Sequence, residues 1–110
     1  MGREKYLGEF EFLVIAALLR LGKNAYGVSV RSEIKKRTGR QVSFGAVYTT
    51  LDRLESKSLV RSRSGEATPS RGGRPKKHFE VTARGVDAMK RTLESVQSMV
   101  DGIDTAWNLP

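Results

Sequence analysis

The sequence contains no cysteine and only one histidine, His78. Without cysteine, disulfides, thiol nucleophiles and thiolate metal sites are excluded. One histidine leaves too little material for a metal cluster or an activated nucleophile, and its strand-like setting is more typical of a surface or phosphate-facing side chain. The sequence also lacks a glycine-rich phosphate loop and a carboxylate cluster, so we predict no enzyme, no cofactor and no metal site.

Long hydrophobic runs are missing as well. The run "FLVIAALL" at residues 12–19 is far shorter than the roughly 20 residues of a membrane-spanning helix. Glu9 and Glu11 lie beside it and no small-residue cleavage site follows, which is unlike a secretory signal. We therefore predict a cytoplasmic protein without a membrane partner, whose 110 residues suffice for one domain with a modest core.

Acidic residues are scarce relative to basic ones, and the net charge is +8. Nearly all of the excess lies in two blocks, residues 31–40 and residues 61–77, whereas residues 41–60 between them are neutral. A basic surface that serves only solubility would be scattered evenly along the chain. Two basic blocks on either side of one neutral segment instead indicate a polyanion as the partner.

The neutral segment, "VSFGAVYTTLDRLESKSLV", has the pattern of an amphipathic helix. Ser43 is a suitable N-cap, and Val47, Leu51 and Leu54 recur at helical spacing as one buried stripe. The opposite face is slim and nearly uncharged, and it carries Gly45, Ala46, Thr49, Asp52 and Arg53. A face of this kind can approach another molecule closely.

A second helix is predicted over residues 26–37, and only the short turn "GRQV" separates it from the helix that begins at Ser43. Two short helices across a tight turn form a helix-turn-helix, whose second helix enters the DNA major groove. Thr49 would then contact a base, and Arg53 a guanine or a phosphate. The alternative is a helical hairpin that merely packs.

Two short strands are predicted at residues 59–64 and 76–82, with Phe79 and Val81 pointing inward. Glycine and proline in the intervening segment disfavour regular structure there. Three helices followed by strand, loop and strand is the order of a winged helix, with this loop as the wing. The wing cations expected to face phosphates or a narrow minor groove are Arg71, Arg74, Lys76 and Lys77. A disordered basic loop is the alternative.

The last segment, from Thr82 to about Trp107, has the most regular apolar pattern in the chain. Apolar residues alternate at spacings of three and four, which gives three heptads. The first helix, predicted at residues 7–21, is apolar on all sides, so a second surface must bury the side that its own domain leaves open. We predict that both surfaces join in a homodimer, through Phe12, Ile15, Leu19, Met89, Leu93, Val96, Val100 and Ile103. A last helix folded back on its own domain is the alternative.

The stretches "YGVSVRSEIKKRTGRQVSFGAVYTTLDRLESKSLV" and "TPSRGGRPKKHFEVTARG" resemble the PadR family of bacterial transcriptional regulators. The resemblance covers roughly residues 8–105, and its specific marks are Tyr26-Gly27, "GAVYTTLDRLE" and "RGGRPKKHFEVT". The sequence departs from the family pattern at two positions. Phe44 stands where many relatives have proline, and Ser58 stands where glycine usually ends the helix.

The resemblance implies a homodimeric DNA-binding repressor of the small subfamily, with a single C-terminal helix as the main dimer element. By motif position the recognition helix spans residues 44–56. Its DNA-facing start would comprise Ser43, Phe44, Gly45, Ala46, Tyr48 and Thr49. Some small members bind flat aromatic or cationic compounds near a tryptophan of the last helix. Trp107 is the counterpart here, although a tryptophan at such a position can also serve packing alone.

The sequence thus predicts a mainly α protein with a small β-hairpin, divided into a winged helix-turn-helix domain at residues 1–82 and a C-terminal dimerisation helix at residues 83–110. The predicted partner is a double-stranded DNA operator, bound by a homodimer that represses transcription and that a small aromatic effector releases. Two alternatives remain at this stage. One is an architectural protein that binds DNA without sequence preference, and the other is a winged-helix adaptor that binds proteins.

Overall fold

The computed structural model describes residues 6–67 and 75–103, apart from the side chains of residues 65–67 and 75–76. The elements are α1 (Glu9–Leu21), α2 (Gly27–Thr38), α3 (Phe44–Ser56), β1 (Val60–Ala67), β2 (Pro75–Val81) and α4 (Ala83–Val100), with a short 3-10 helix after α1. β1 and β2 form an antiparallel hairpin. The fold is mainly helical with one small hairpin, as the sequence predicts. Within the described ranges, no helix combines the length and the apolarity needed to cross a membrane.

One hydrophobic core lies where α1, α2, α3 and the hairpin meet. Val47, Leu51 and Leu54 of α3 are all completely buried, so the predicted stripe is confirmed. Val30 of α2 and Phe79 of β2 belong to the same cluster. Burial of a side chain of this size contributes about 1.5–3 kcal/mol. These contacts therefore hold the inner face of α3 and leave its outer face in solvent.

The prediction that Ile15 belongs to a dimer interface is wrong. Its side chain has no exposed surface, because it lies inside the core of its own domain. Helix α1 packs against α2, α3, β2 and α4 of the same chain, so most of its apolar circumference is already covered. Leu19, by contrast, keeps 45% of its surface exposed.

Helix α3 ends in a tight backbone turn at Ser58. The Ser58 amide donates to the Glu55 carbonyl and the Leu59 amide donates to the Leu54 carbonyl, both at 2.9 Å. These two bonds form a Schellman motif, which requires a left-handed residue. Ser58 adopts φ 64° to supply it. This explains why glycine would suit the position, since glycine reaches positive φ without a steric penalty.

The hairpin is longer than the sequence analysis predicts. β1 continues to Ala67 and β2 begins at Pro75, and both of these residues lie inside the segment that was expected to lack regular structure. The pairing register shifts between Ser64 and Ala67, so the extra residues are accommodated by an irregularity. Proline is tolerated at the first position of a strand, because no ladder bond from its nitrogen is needed there.

Helix α4 packs against the winged domain at its start. A Cβ on Gly85 would lie 2.1 Å from the Leu59 carbonyl oxygen, so only glycine permits this approach. About two turns further along the helix, the Thr92 hydroxyl accepts a 2.9 Å hydrogen bond from the Leu7 amide. The helix ends at Val100, so the prediction that it runs unbroken beyond this residue is wrong, and residues 104–107 lie outside the described residues.

The sequence signal for this helix end is the pair Asp101-Gly102. Gly102 adopts φ 85°, a left-handed conformation that stops a helix. Ile103 therefore follows the helix instead of extending its stripe. Trp107 lies outside the described residues.

Candidate nucleic-acid interface

The start of α3 is capped and exposed. The Ser43 hydroxyl accepts a 3.0 Å hydrogen bond from the Ala46 amide, as an N-cap should, and keeps its own proton for another acceptor. Gly45, Ala46 and Thr49 are all exposed, on the side opposite the buried stripe. The space above Gly45 is open, since a Cβ there would meet only the Ser43 hydroxyl, at 3.8 Å. The slim front predicted from the sequence is therefore present on the surface.

Tyr48 links the start of α3 to the start of α2. Its hydroxyl lies so close to Gly27 that a Cβ on this glycine would come within 2.2 Å of the oxygen. The ring is nevertheless 42% exposed and remains part of the outer surface. The close approach gives a steric reason for the Tyr26-Gly27 motif, because any side chain at residue 27 would displace Tyr48.

Phe44, the first residue of α3, is covered on one side by Arg31 of α2. The Arg31 guanidinium carbon lies 4.3 Å from the centre of the phenyl ring, which is a cation–π contact. Its Nε donates a 2.6 Å hydrogen bond to the Val42 carbonyl. The other side of Phe44 is open, and 42% of the residue is exposed. Apolar groups exposed on a reading face can contact thymine methyls.

Glu55 connects the far end of α3 to the hairpin. One of its carboxylate oxygens accepts a 2.6 Å hydrogen bond from Ser62, and the other lies 4.0 Å from the Lys77 ammonium group. Lys77 also lies 5.7 Å from the centre of the Phe79 ring. Part of the Lys77 charge is therefore balanced within the domain. The side chain of Lys76 and the whole of Arg71 and Arg74 lie outside the described residues.

A partly buried ion pair joins α1 to Lys57, the residue that follows α3. The Glu11 carboxylate accepts hydrogen bonds from the Gly8 amide and the Lys57 ammonium group, both at 2.9 Å. Burial raises the pKa of Glu11, but these bonds and the charges of Lys57 and Arg53 outweigh it and hold the pKa below its ordinary value. The charge of Arg53 therefore helps to lower the pKa of Glu11, while the Arg53 side chain remains exposed at the outer end of α3.

The structure adds three cations that the sequence analysis did not select. Arg31, Lys35 and Lys36 line a hollow of about 440 Å³ at the turn between α2 and α3, together with Ser32, Gln41 and Val42. Within the described part of the chain, none of these three cations forms an ion pair. Other cations of the same basic block do: Arg37 pairs with Glu33, and Arg40 pairs with Glu9. The charge of residues 31–40 and the one-turn spacing of Arg31 and Lys35 were the signals that could have identified them.

The middle of the predicted dimer stripe on α4 is turned away from the winged domain, whereas Met89 at its start packs against the core. Gly85, Ala88 and Thr92 form the face that packs inward. Leu93 is 50% exposed and Val96 is 55% exposed. Among the other predicted interface residues, Leu19 and Ile103 are exposed, whereas Phe12, Met89 and Val100 are half-buried. The structure thus leaves an apolar strip on α4 that its own domain does not cover.

A capped helix with a slim front, set on a helix-turn-helix and followed by a hairpin, defines a winged-helix DNA-binding domain. The family model described as the transcriptional regulator PadR-like family matches residues 15–91. The chain therefore belongs to the PadR-like family of transcriptional regulators. No match was found among curated proteins.

Solved structures with the same fold are similar to nearly the whole chain. A PadR family transcription regulator from Clostridium difficile is 23% identical with a TM-score of 0.74, over 92% of this chain and 100% of its own. A PadR-like regulator from Bacillus cereus is 16% identical with a TM-score of 0.73, over 92% and 93%. A winged-helix DNA-binding protein from STIV is 22% identical with a TM-score of 0.68, over 88% and 97%. Family membership makes the chain a DNA-binding transcriptional regulator and not an enzyme.

Proposed function

We propose that the protein is a cytoplasmic homodimer that binds a pseudo-palindromic DNA operator and represses transcription. The observation that carries the proposal is the open, nearly uncharged start of α3. Gly45, Ala46 and Thr49 are exposed there, while Val47 and Leu51 fix the helix from behind. A slim helix face allows side chains and backbone to reach base edges in the major groove. Non-specific binding would need only the charge.

Dimerisation follows from the short reach of one recognition helix. One helix reads only a few base pairs, and two half-sites about 34 Å apart double the sequence that is read. The apolar strip with Leu93 and Val96 is the element best suited to join two copies. Apolar side chains that are exposed in the monomer stabilise a dimer when they are buried against each other, whereas a charged, hydrated surface would not hold the two copies together.

The proposal also includes release of the protein from DNA by a small-molecule effector. The family resemblance suggests a flat aromatic compound near Trp107, and a compound bound between the subunits would change the half-site spacing. Trp107 is the single tryptophan of the chain, so its fluorescence reports on its surroundings directly. Quenching by a planar aromatic dye that also releases operator DNA would support this role, and quenching without release would contradict it.

Selection from a random duplex library tests the main proposal. The purified full-length protein is expected to enrich a motif with two-fold symmetry and half-sites centred about 10 base pairs apart. The enriched duplex should compete at least about 1,000-fold better than random DNA at physiological salt. Light scattering should give twice the chain mass of 12.2 kDa. Equal competition by random DNA would favour the architectural alternative, and an absence of any DNA binding would favour the adaptor.

A further inference from the structure

Two contacts within the domain hold the Arg31 side chain in one position, and most of its hydrogen-bond donors remain available for a ligand. Its guanidinium carbon lies over the Phe44 ring, 4.3 Å from the ring centre, and its Nε donates a 2.6 Å hydrogen bond to the Val42 carbonyl. A guanidinium has five N–H donors, so the four on the terminal nitrogens remain. Within the described part of the chain these donors have no hydrogen-bond partner. Free arginine side chains normally move among many rotamers, and this one is fixed.

The surroundings of Arg31 select an anion. Lys35 and Lys36 lie on the same hollow, and none of the described residues that line it is a carboxylate. The neighbouring cations Arg37 and Arg40, in contrast, each have a glutamate partner. Arg31, Lys35 and Lys36 have no carboxylate partner among the described residues, so together they raise the positive potential of this concave surface, which attracts a polyanion. The hollow of about 440 Å³ leaves room for a phosphate group.

The position of the hollow favours a DNA phosphate as the anion. Arg31 contacts the first residue of α3, so the hollow is continuous with the start of the reading face. A DNA strand in contact with Gly45 and Ala46 continues past this end of the helix. Lys77 of the second basic block lies 4.0 Å from Glu55, near the other end of α3, so cations from the two basic blocks lie at opposite ends of the recognition helix.

We propose that Arg31, held in place by Phe44 and supported by Lys35 and Lys36, binds a backbone phosphate beside each half-site. The inference rests on the proposed DNA-binding function and deepens it. The aromatic ring positions the cation, so residue 44 affects binding through Arg31 in addition to any contact of its own. Because phosphates are the same in every sequence, this contact adds affinity and register but no base preference.

The test compares Arg31→Gln with Lys90→Gln, which removes an exposed cation from α4. Binding of the full-length protein to its selected operator and to a random duplex is measured by fluorescence anisotropy between about 50 and 300 mM salt. Loss of one phosphate contact lowers the log–log salt slope by about 0.9, which is about a fivefold weaker affinity near 150 mM salt. We expect this change for Arg31→Gln on both duplexes and no change for Lys90→Gln.

A double-mutant cycle tests the positioning role of the ring. Phe44→Leu is expected to weaken operator binding in the wild type but to have a smaller effect when Arg31→Gln is already present. An equal effect in both backgrounds would overturn this role. Circular dichroism should show that Arg31→Gln is folded with a modestly lower melting temperature, because the variant loses the cation–π contact with Phe44 and the hydrogen bond to Val42. Binding is therefore measured well below that temperature.

The outcomes separate the two proposals. If the wild type prefers its operator but Arg31→Gln keeps the wild-type salt slope, the phosphate contact is wrong and the proposed function stands. A loss confined to the operator would show that Arg31 reads a base and would also overturn the phosphate assignment. If the wild type binds all duplexes equally while Arg31→Gln lowers the slope, the phosphate contact stands and operator recognition fails.

Discussion

Gly45→Ala should separate stability from DNA binding in this domain. The glycine lies in the first turn of α3, is exposed, and does not have a left-handed backbone. An added Cβ would have only the Ser43 hydroxyl within 4 Å, at 3.8 Å, so the methyl group fits without strain. Alanine restricts the unfolded chain more than glycine does and favours the helix. We expect the free energy of unfolding to rise by about 0.5–1 kcal/mol.

The same methyl group should weaken operator binding. It would project from the slim front of α3, where the helix is proposed to lie against base edges. Adding one methyl to a closely packed contact costs about 1–3 kcal/mol, which is roughly a 5- to 150-fold increase in Kd. Wedging the helix away from the bases would also lower the preference for operator over random DNA.

Urea unfolding followed by circular dichroism measures the first effect, and anisotropy titration of the selected operator measures the second. Gly8→Ala serves as a control, because its Cβ would also lie in open space, 3.7 Å from the nearest atom, but at the start of α1. The control should leave the operator Kd within about twofold of the wild type. If Gly45→Ala binds the operator as tightly as the wild type, α3 does not approach DNA through this face and the reasoning is refuted.

Three further predictions concern stability and assembly. Gly85→Ala should lower the free energy of unfolding, measured by urea titration, by about 1–3 kcal/mol or more, because its Cβ would lie 2.1 Å from the Leu59 carbonyl oxygen. A variant as stable as the wild type would show that α4 can shift freely. Leu93→Lys should give monomer mass in light scattering and lose operator binding, whereas Ser98→Lys on the far side of α4 should remain dimeric; a dimeric Leu93→Lys protein would contradict the proposed interface. The pKa of Glu11 is lower in the folded state than its value of about 4.3 in the unfolded chain, so the carboxylate stabilises the fold fully above that value. This contribution is lost as pH falls through the folded pKa. Glu11→Gln should therefore flatten the acid side of a plot of melting temperature against pH. An unchanged profile would show that the ionised Glu11 carboxylate contributes nothing to stability.

Local patterns in the sequence predicted the elements that depend on near neighbours. The buried stripe of α3 follows from spacings of three and four residues and its cap from the serine at residue 43, and both are present. The two basic blocks and the order of helices and strands likewise indicated a winged helix. Periodicity could not settle the role of α1, because its apolar residues surround the helix and several faces fit the same pattern. Only the packed structure showed that Ile15 lies in the core and that Leu19 does not.

Contacts between residues far apart in the chain were decided by the tertiary structure. The stacking of Arg31 on Phe44 crosses the turn between two helices, and no spacing rule connects residues 13 positions apart on different elements. The approach of Gly85 to Leu59 depends on where α4 starts after the hairpin, which is set by the strand register. A local pattern reports which face of a helix is apolar, whereas the partner of that face is chosen by how the whole chain packs.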